Sequence, residues 1–211
     1  MENQTLQRET RQILSDCGAL IHNDHFVYSC GNHGDGWIAK DLVNLDPQRS
    51  LRLGQLLATA CSELQPRPDL VCGPAIGGLV CAQVTALALD LQFVFAERAW
   101  HGGKQYFELH RGFDQIVAGK EVLVVDDVIN TGFSIDLAID AVRNAGGTVS
   151  SAAAWINRGN VYAKELGVET FVFLDEVDLP SWPAEGCPLC QANTPINTQY
   201  AHGAEFVAAQ A

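Results

Sequence analysis

Between residues 70 and 173 short apolar runs and helical stretches take turns, and that rhythm leaves the chain few architectures to choose from. The runs at 70–72, 93–95, 121–125, 149–156 and 170–173 have the length and β-branched character of buried strands. Between them, 77–89 and 135–144 carry helical periodicity, the second stopped by Gly146-Gly147, and 161–166 reads as a further short helix. Strands alternating with helices at this spacing predict an α/β fold with a mostly parallel central sheet flanked by helices. A chain of 211 residues, 47% of them hydrophobic, can bury one full core.

Ahead of that core, residues 2–17 predict an opening helix with Leu6, Ile13 and Leu14 on one face. Two β-like runs, 25–29 and 37–40, flank a Gly-rich stretch at 31–36, and 50–64 is helical up to Pro66 and Pro68. The segment 97–118 is long, mixed and Gly-containing, and is expected to be a functional loop. From Leu179 the chain is Pro-containing and is expected to be irregular. The expectation is a single domain: an N-terminal helix and small hood over 1–45, an α/β core over 46–178 and an irregular tail over 179–211.

Charge and cysteine usage narrow the partners. A net charge of −12 suits nucleic acid poorly, because affinity there comes from Lys and Arg neutralising phosphates. A site for an anion must then be built locally, from backbone amides, a few cations and a metal ion. The longest apolar stretch, 79–89, is interrupted by Gln83 and Thr85 and is too short to span a bilayer. Met1-Glu2-Asn3-Gln4 has neither a basic nor an apolar signal region, so a cytoplasmic location is the default expectation. In that setting the seven cysteines read as reduced thiols, with Cys17, Cys61, Cys72 and Cys81 as small core residues. The pair Cys187-Pro188-Leu189-Cys190 could bind zinc or form a disulfide. It supplies two of the four ligands a structural zinc needs, no second pair follows, and His202 is remote, so a metal there is expected to need completion by a partner chain.

The chemistry concentrates at 121–134. A buried apolar strand delivers Asp126 and Asp127 at its C-terminal end, and Asn130-Thr131-Gly132-Phe133-Ser134 then leads into a helix. Ligands of open α/β sheets bind at the carboxyl ends of strands. A Gly-containing turn feeding a helix N-terminus aims several N–H groups and the helix dipole at an anion, and the Thr131 and Ser134 hydroxyls add donors. Two adjacent carboxylates would repel a bare phosphate, so they need another task, accepting hydrogen bonds from hydroxyls or holding a metal ion. A phosphorylated sugar meets both demands.

This segment resembles the phosphoribosyl diphosphate signature of type I phosphoribosyltransferases: four apolar residues, two acids, two variable residues and a Thr-Gly turn. The resemblance implies the type I phosphoribosyltransferase fold. It also implies that Asp126 and Asp127 contact the ribose hydroxyls while Asn130, Thr131, Gly132, Phe133 and Ser134 hold the 5′-phosphate. Asn130 stands where Thr is common.

Further features resemble the orotate phosphoribosyltransferases over most of residues 10–195. Gly73-Pro74-Ala75-Ile76-Gly77-Gly78 is similar to that family's diphosphate-binding loop, which places Ala75, Ile76 and Gly77 on the diphosphate. Phe95-Ala96-Glu97-Arg98 and Arg111-Gly112-Phe113 bracket a segment like its mobile catalytic loop, with Arg98, His101 and Lys104 facing the diphosphate. Trp155-Ile156-Asn157-Arg158 places Arg158 where those enzymes hold the base's carboxylate, an anion a guanidinium suits through paired donors. The stretch 26–37 is similar to the base-binding hood, with Trp37 at its aromatic position, Cys30 in place of the usual Ser and Gly34 in place of another.

What the resemblance implies is transfer of the ribosyl 5-phosphate group from phosphoribosyl diphosphate to a pyrimidine-like base, orotate first, with Mg²⁺ carried by the diphosphate and release of diphosphate. It implies a homodimer as well. Two other readings stay open from sequence: a phosphoribosyltransferase acting on another base, and a non-catalytic phosphoribosyl diphosphate-binding regulator.

Overall fold

A computed structural model describes residues 2–209, the first two of these by backbone alone. In chain order the first elements are α1 (Glu2–Asp16), β1 (Leu20–Val27), β2 (His33–Ile38), α2 (Asp41–Asn44) and α3 (Pro47–Ala60). There follow β3 (Leu70–Pro74), α4 (Leu79–Leu89), β4 (Gln92–His101), β5 (Lys104–Glu108), α5 (Phe113–Val117) and β6 (Val122–Ile129). The last are α6 (Phe133–Asn144), β7 (Ser151–Asn157), β8 (Thr170–Glu176), β9 (Ser181–Trp182), α7 (Pro188–Gln191) and α8 (Gly203–Ala208). These fall into two compact units. One, the core unit, holds the chain up to Arg11 and Asp46–Val177; the other, the hood unit, holds Gln12–Leu45 and the chain from Asp178 on.

The core unit is a six-stranded sheet in the order β5-β4-β3-β6-β7-β8. All neighbouring strands are parallel except β5, which folds back antiparallel on β4 at one edge. The interior strands read as near-continuous apolar runs because both faces are covered. Alternate residues Leu70, Cys72, Val94, Val122, Val124, Ala152 and Ala154 pack with Ile135, Ala138, Ile139 and Val142 of α6. Helices α3 and α4 cover the opposite face, and they cross closely at Gly54, where a Cβ would sit 2.7 Å from the Val84 backbone. Helix α3 starts on a sequence signal, since Asp46 accepts the Gln48 N–H at 3.0 Å and Pro47 occupies the first turn.

Two expectations fail here. The stretch 161–166 is a series of turns, not a helix. The Asn157 side chain takes both backbone groups of Val161, donating to its carbonyl at 2.8 Å and accepting from its N–H at 3.2 Å. With Gly167 at φ +60 the span between those anchors is too short for a helical turn to propagate. The stretch 97–118 is not an open loop either. Strand β4 runs on to His101, Gly102 and Gly103 turn at φ +56 and +78, and β5 returns with His101 opposite Lys104. Two consecutive positive-φ positions make the two-residue hairpin turn that matches strand twist, and the Gly-Gly pair is its sequence signal.

In the hood unit β1, β2 and β9 form an antiparallel sheet in that order. Tyr28 donates to the Gly36 carbonyl at 2.8 Å, and its hydroxyl lies where a Cβ on Gly34 would be, so glycine is required at that position. Over 179–209 the chain forms short regular elements rather than an irregular tail. It contributes β9, α7 and α8, held by hydrogen bonds from the Asn197 N–H to the His25 carbonyl (2.7 Å) and from the His202 N–H to the Val27 carbonyl (2.9 Å).

Candidate functional site

In the core unit the sheet order places the carboxyl ends of β3, β4 and β6 side by side, and the chemistry-bearing residues gather there. Strand β6 extends past the apolar run through both acids to Ile129, so Asp126 and Asp127 lie on the strand itself and are buried. Each carboxylate is oriented by the next backbone amide: Asp126 Oδ1 accepts the Asp127 N–H at 2.9 Å, and Asp127 Oδ1 accepts the Val128 N–H at 2.6 Å. Burial with fixed orientation makes the pair a rigid acceptor edge.

The chain then turns through Asn130, Thr131 and Gly132 into α6. Gly132 is the N-cap at φ +77, a conformation that favours glycine, and it carries no side chain to cap the first-turn N–H groups. Apart from the Phe133 N–H, those groups and the positive end of the helix dipole are left for an anion. Thr131 Oγ1 accepts the Phe133 N–H at 3.4 Å, and Phe133 itself stands 53% exposed, so the turn offers backbone and hydroxyls rather than an apolar wall.

The loop after β3 approaches from beside it. A Cβ on Gly78 would lie 2.6 Å from Asp126 Oδ1, and one on Gly73 would lie 2.9 Å from the Gly78 carbonyl. These glycines let the backbone of Ala75, Ile76 and Gly77 come alongside the carboxylates. The Ala75–Ile76 peptide is cis, and Ile76 is 88% exposed. Cys81, at the start of α4, donates to the Asp126 carbonyl at 3.3 Å and fastens the helix that follows this loop to β6.

Arg158 follows β7, the next strand along, and its guanidinium donates to Asn130 Oδ1 at 3.0 Å, so this cation joins the phosphate-type turn directly. Its neighbour Gly159 is a site residue that sequence reasoning missed. A Cβ there would collide with the Asn130 carbonyl oxygen, and the Gly159 N–H donates to the Ile129 carbonyl at 3.1 Å. A glycine after Arg158 gave no motif signal, because the demand comes from the turn that follows β6, the neighbouring strand in the sheet.

Arg98, His101 and Lys104 lie on the β4–β5 hairpin, all exposed, with the Arg98 guanidinium 6.0 Å from the Phe107 ring centroid. Arg111, beyond the hairpin, pairs with Glu97 at 2.9 Å and fastens its base. The structure thus gathers Asp126, Asp127, the 130–134 turn, the 75–78 loop and Arg158, and sets the three hairpin cations on a separate projection of the same sheet.

The hood unit carries the other two expected base contacts. Trp37 is half-buried, its ring stacked 6.2 Å from Tyr28, and Cys30 is exposed in the turn between β1 and β2. Cys187 and Cys190 do not lack further ligands within the chain, as the sequence led us to expect. Two buried histidines, His25 and His33, stand against them. The spacing gave no sign of this because the histidines lie more than 150 residues earlier.

Comparison with known proteins agrees with this geometry. Residues 45–188 match the phosphoribosyl transferase domain model. The orotate phosphoribosyltransferase of Sulfurimonas denitrificans is 33% identical over 195 residues, covering 87% of this chain and 94% of that protein. That of Heliobacterium modesticaldum is 34% identical over 189 residues, covering 90% and 95%. Among solved structures, the orotate phosphoribosyltransferase of Aeropyrum pernix superposes with a TM-score of 0.64 at 28% identity, covering 79% of this chain and 92% of that one.

Proposed function

Because the chain belongs to the phosphoribosyltransferase family, sharing a third of its residues with orotate phosphoribosyltransferases along nearly their whole length, we propose that it transfers the ribosyl 5-phosphate group of phosphoribosyl diphosphate to orotate, a step in making pyrimidine nucleotides. The observation that carries this reading is the buried Asp126–Asp127 edge leading into the uncapped N-terminus of α6, with Gly78 packed against the first carboxylate.

On this reading the 130–134 turn binds the 5′-phosphate through first-turn N–H groups and the Thr131 and Ser134 hydroxyls. Asp126 and Asp127 accept hydrogen bonds from the ribose hydroxyls, and the 75–77 backbone follows the diphosphate. Two carboxylates are too few to enclose Mg²⁺, which takes six oxygen ligands and retains waters, so the ion would arrive on the diphosphate and supply charge neutralisation there. A ring nitrogen of the base forms the new bond to the anomeric carbon as the bond to diphosphate breaks, and diphosphate leaves with the bonding electrons. The sugar gains oxocarbenium character in between, which position and charge stabilise without a covalent nucleophile. Arg158 offers paired donors to the base's carboxylate. Arg98, His101 and Lys104 would meet the departing diphosphate when the hairpin closes and excludes water. A homodimer, in which that hairpin serves the neighbouring subunit's site, belongs to the same reading and would show in sedimentation velocity.

The test is orotate consumption followed by ultraviolet absorbance with phosphoribosyl diphosphate and Mg²⁺. Stoichiometric loss of orotate and release of diphosphate is expected. Asp127→Asn should lower kcat by about 10²-fold or more, and Arg158→Ala should raise KM for orotate by about tenfold. No orotate turnover, together with thermal stabilisation by phosphoribosyl diphosphate, would move the assignment to another base.

A further inference from the structure

Strand β1 carries a register shift between His22 and Phe26, with Asn23 in the left-handed region at φ +59. A bulge of this kind re-aims the side chains that follow it. Here it turns His25 to the same side as His33 of β2, and both rings are buried, at 1% and 0% exposure. From the other end of the hood unit's sequence, Cys187 caps α7 and Cys190 sits on its single turn, the relation that lets a Cys-x-x-Cys pair converge on one point.

The four side chains meet. His25 Nε2 and His33 Nδ1 are 2.8 Å apart, Cys190 Sγ is 3.2 Å from His33 Nδ1, and Cys187 Sγ and Cys190 Sγ each lie 3.7 Å from His25 Nε2. One donor atom from each residue lies within 4.8 Å of all the others. Metal–nitrogen bonds of about 2.0–2.1 Å and metal–sulfur bonds of about 2.3 Å make a tetrahedron with edges of roughly 3.3–3.8 Å; both sulfur–His25 separations fall in that range, and the two contacts of His33 Nδ1 need to open by about half an ångström or less.

The surroundings set the donor atoms for that use. The Thr194 carbonyl stands 2.8 Å from His25 Nδ1; a carbonyl only accepts, so the proton belongs on Nδ1 and Nε2 presents its lone pair to the cluster. Thr194 is held in turn by its own N–H donating to the Leu189 carbonyl at 2.9 Å, one residue before Cys190. His33 Nε2 has no hydrogen-bond partner among the described residues, and its ring meets the Phe206 ring edge-on at 5.0 Å. An aromatic ring therefore closes the site on that side. Two imidazoles and two thiols, buried except for the partly exposed Cys190, make few good hydrogen bonds to one another; with the thiols ionised, a dication leaves the cluster neutral.

We propose that His25, His33, Cys187 and Cys190 form a closed structural metal site for zinc, which clips the N-terminal hairpin to the C-terminal segment. All four ligands come from this one chain, and full tetrahedral coordination leaves no open position for catalysis. The hood unit has reason to need such a clip: β9 is two residues long, and α7 and α8 have four and six residues. Small units of this kind stand on metals or disulfides where the hydrophobic core is thin. Its four ligands are none of the sugar-phosphate residues, and the proposal does not depend on the reading given those.

The test uses the full chain purified under reducing conditions. Elemental analysis should find about one zinc per chain, and thiol titration in the native state should find Cys187 and Cys190 protected until a strong chelator is added. The metal-stripped wild-type chain, titrated with Co²⁺, should develop visible d–d bands of tetrahedral intensity and a thiolate-to-cobalt charge-transfer band, both saturating at about one equivalent. Cys187→Ser should weaken the charge-transfer band. A chain that arrives without metal and gives no such cobalt spectrum overturns the proposal. The wild-type cobalt titration decides the matter even if the variants fail to fold.

Discussion

Single residues at the core unit's site act mainly by leaving space or by being out of reach. Gly159 makes room for the Asn130 carbonyl, which no Cβ can share. Gly159→Ala is therefore expected to push the 130–134 turn off its geometry and to raise KM for phosphoribosyl diphosphate by about tenfold, ~1.4 kcal/mol, with the base's KM less affected; steady-state kinetics with each substrate varied checks this. Cysteine chemistry divides along burial. Burial pushes the Cys61 and Cys72 thiols up to about 12, so almost no thiolate exists near neutral pH. Iodoacetamide at pH 8 should label exposed Cys30 first and leave Cys61 and Cys72 unmodified until denaturant is added, with peptide mass mapping as the readout. A labelled Cys72 in the native state would show that the sheet opens.

Among the elements, the β4–β5 hairpin bears most on how the site works. Its cations are exposed, and although Arg98 lies over the core ring of Phe107, substitution at His101 or Lys104 should touch rate and not stability. Lys104→Ala is expected to lower kcat by about 10²-fold while the melting temperature moves by no more than about 2 °C. Equal loss of stability and rate would make Lys104 a structural residue. The hairpin also marks where sequence reading fell short. Alternating apolar and helical runs were enough to foresee the parallel core, and the acid pair before a Thr-Gly turn was enough to foresee the candidate phosphate site. Both are local patterns, with period and turn chemistry written in consecutive residues. The strand character of 97–108 was obscured because β5 is an edge strand with half-exposed, mixed residues, and only Gly102-Gly103 announced the turn. The Asn157 side chain that suppresses a helix at 161–166, and the glycine demanded at 159, arise from contacts between neighbouring loops and leave no periodic trace.

For the whole molecule the long-range ties matter most. Arg11 on α1 reaches Asp175 on β8, donating from Nε at 2.6 Å and from a terminal nitrogen at 2.9 Å, and Gln7 donates to the same carboxylate at 2.6 Å. The Asp175 side chain is fully buried while Arg11 is 55% exposed. Arg11→Ala strands a buried carboxylate, and we expect a loss of about 2 kcal/mol, below the range for a fully buried pair because solvent screens the arginine. Urea unfolding with an unchanged m-value would measure it. The hood unit is stitched from both ends of the chain, and that arrangement has a consequence in time. His33 and its strand leave the ribosome about 150 residues ahead of Trp182, which pairs with His33, and of Cys187. At roughly 5–20 residues per second the nascent hairpin waits on the order of ten to thirty seconds for its third strand. Throughout that interval the edge of β2 is open to other chains, so translation speed and early chaperone cover should govern the yield of this protein more than the stability of its finished core.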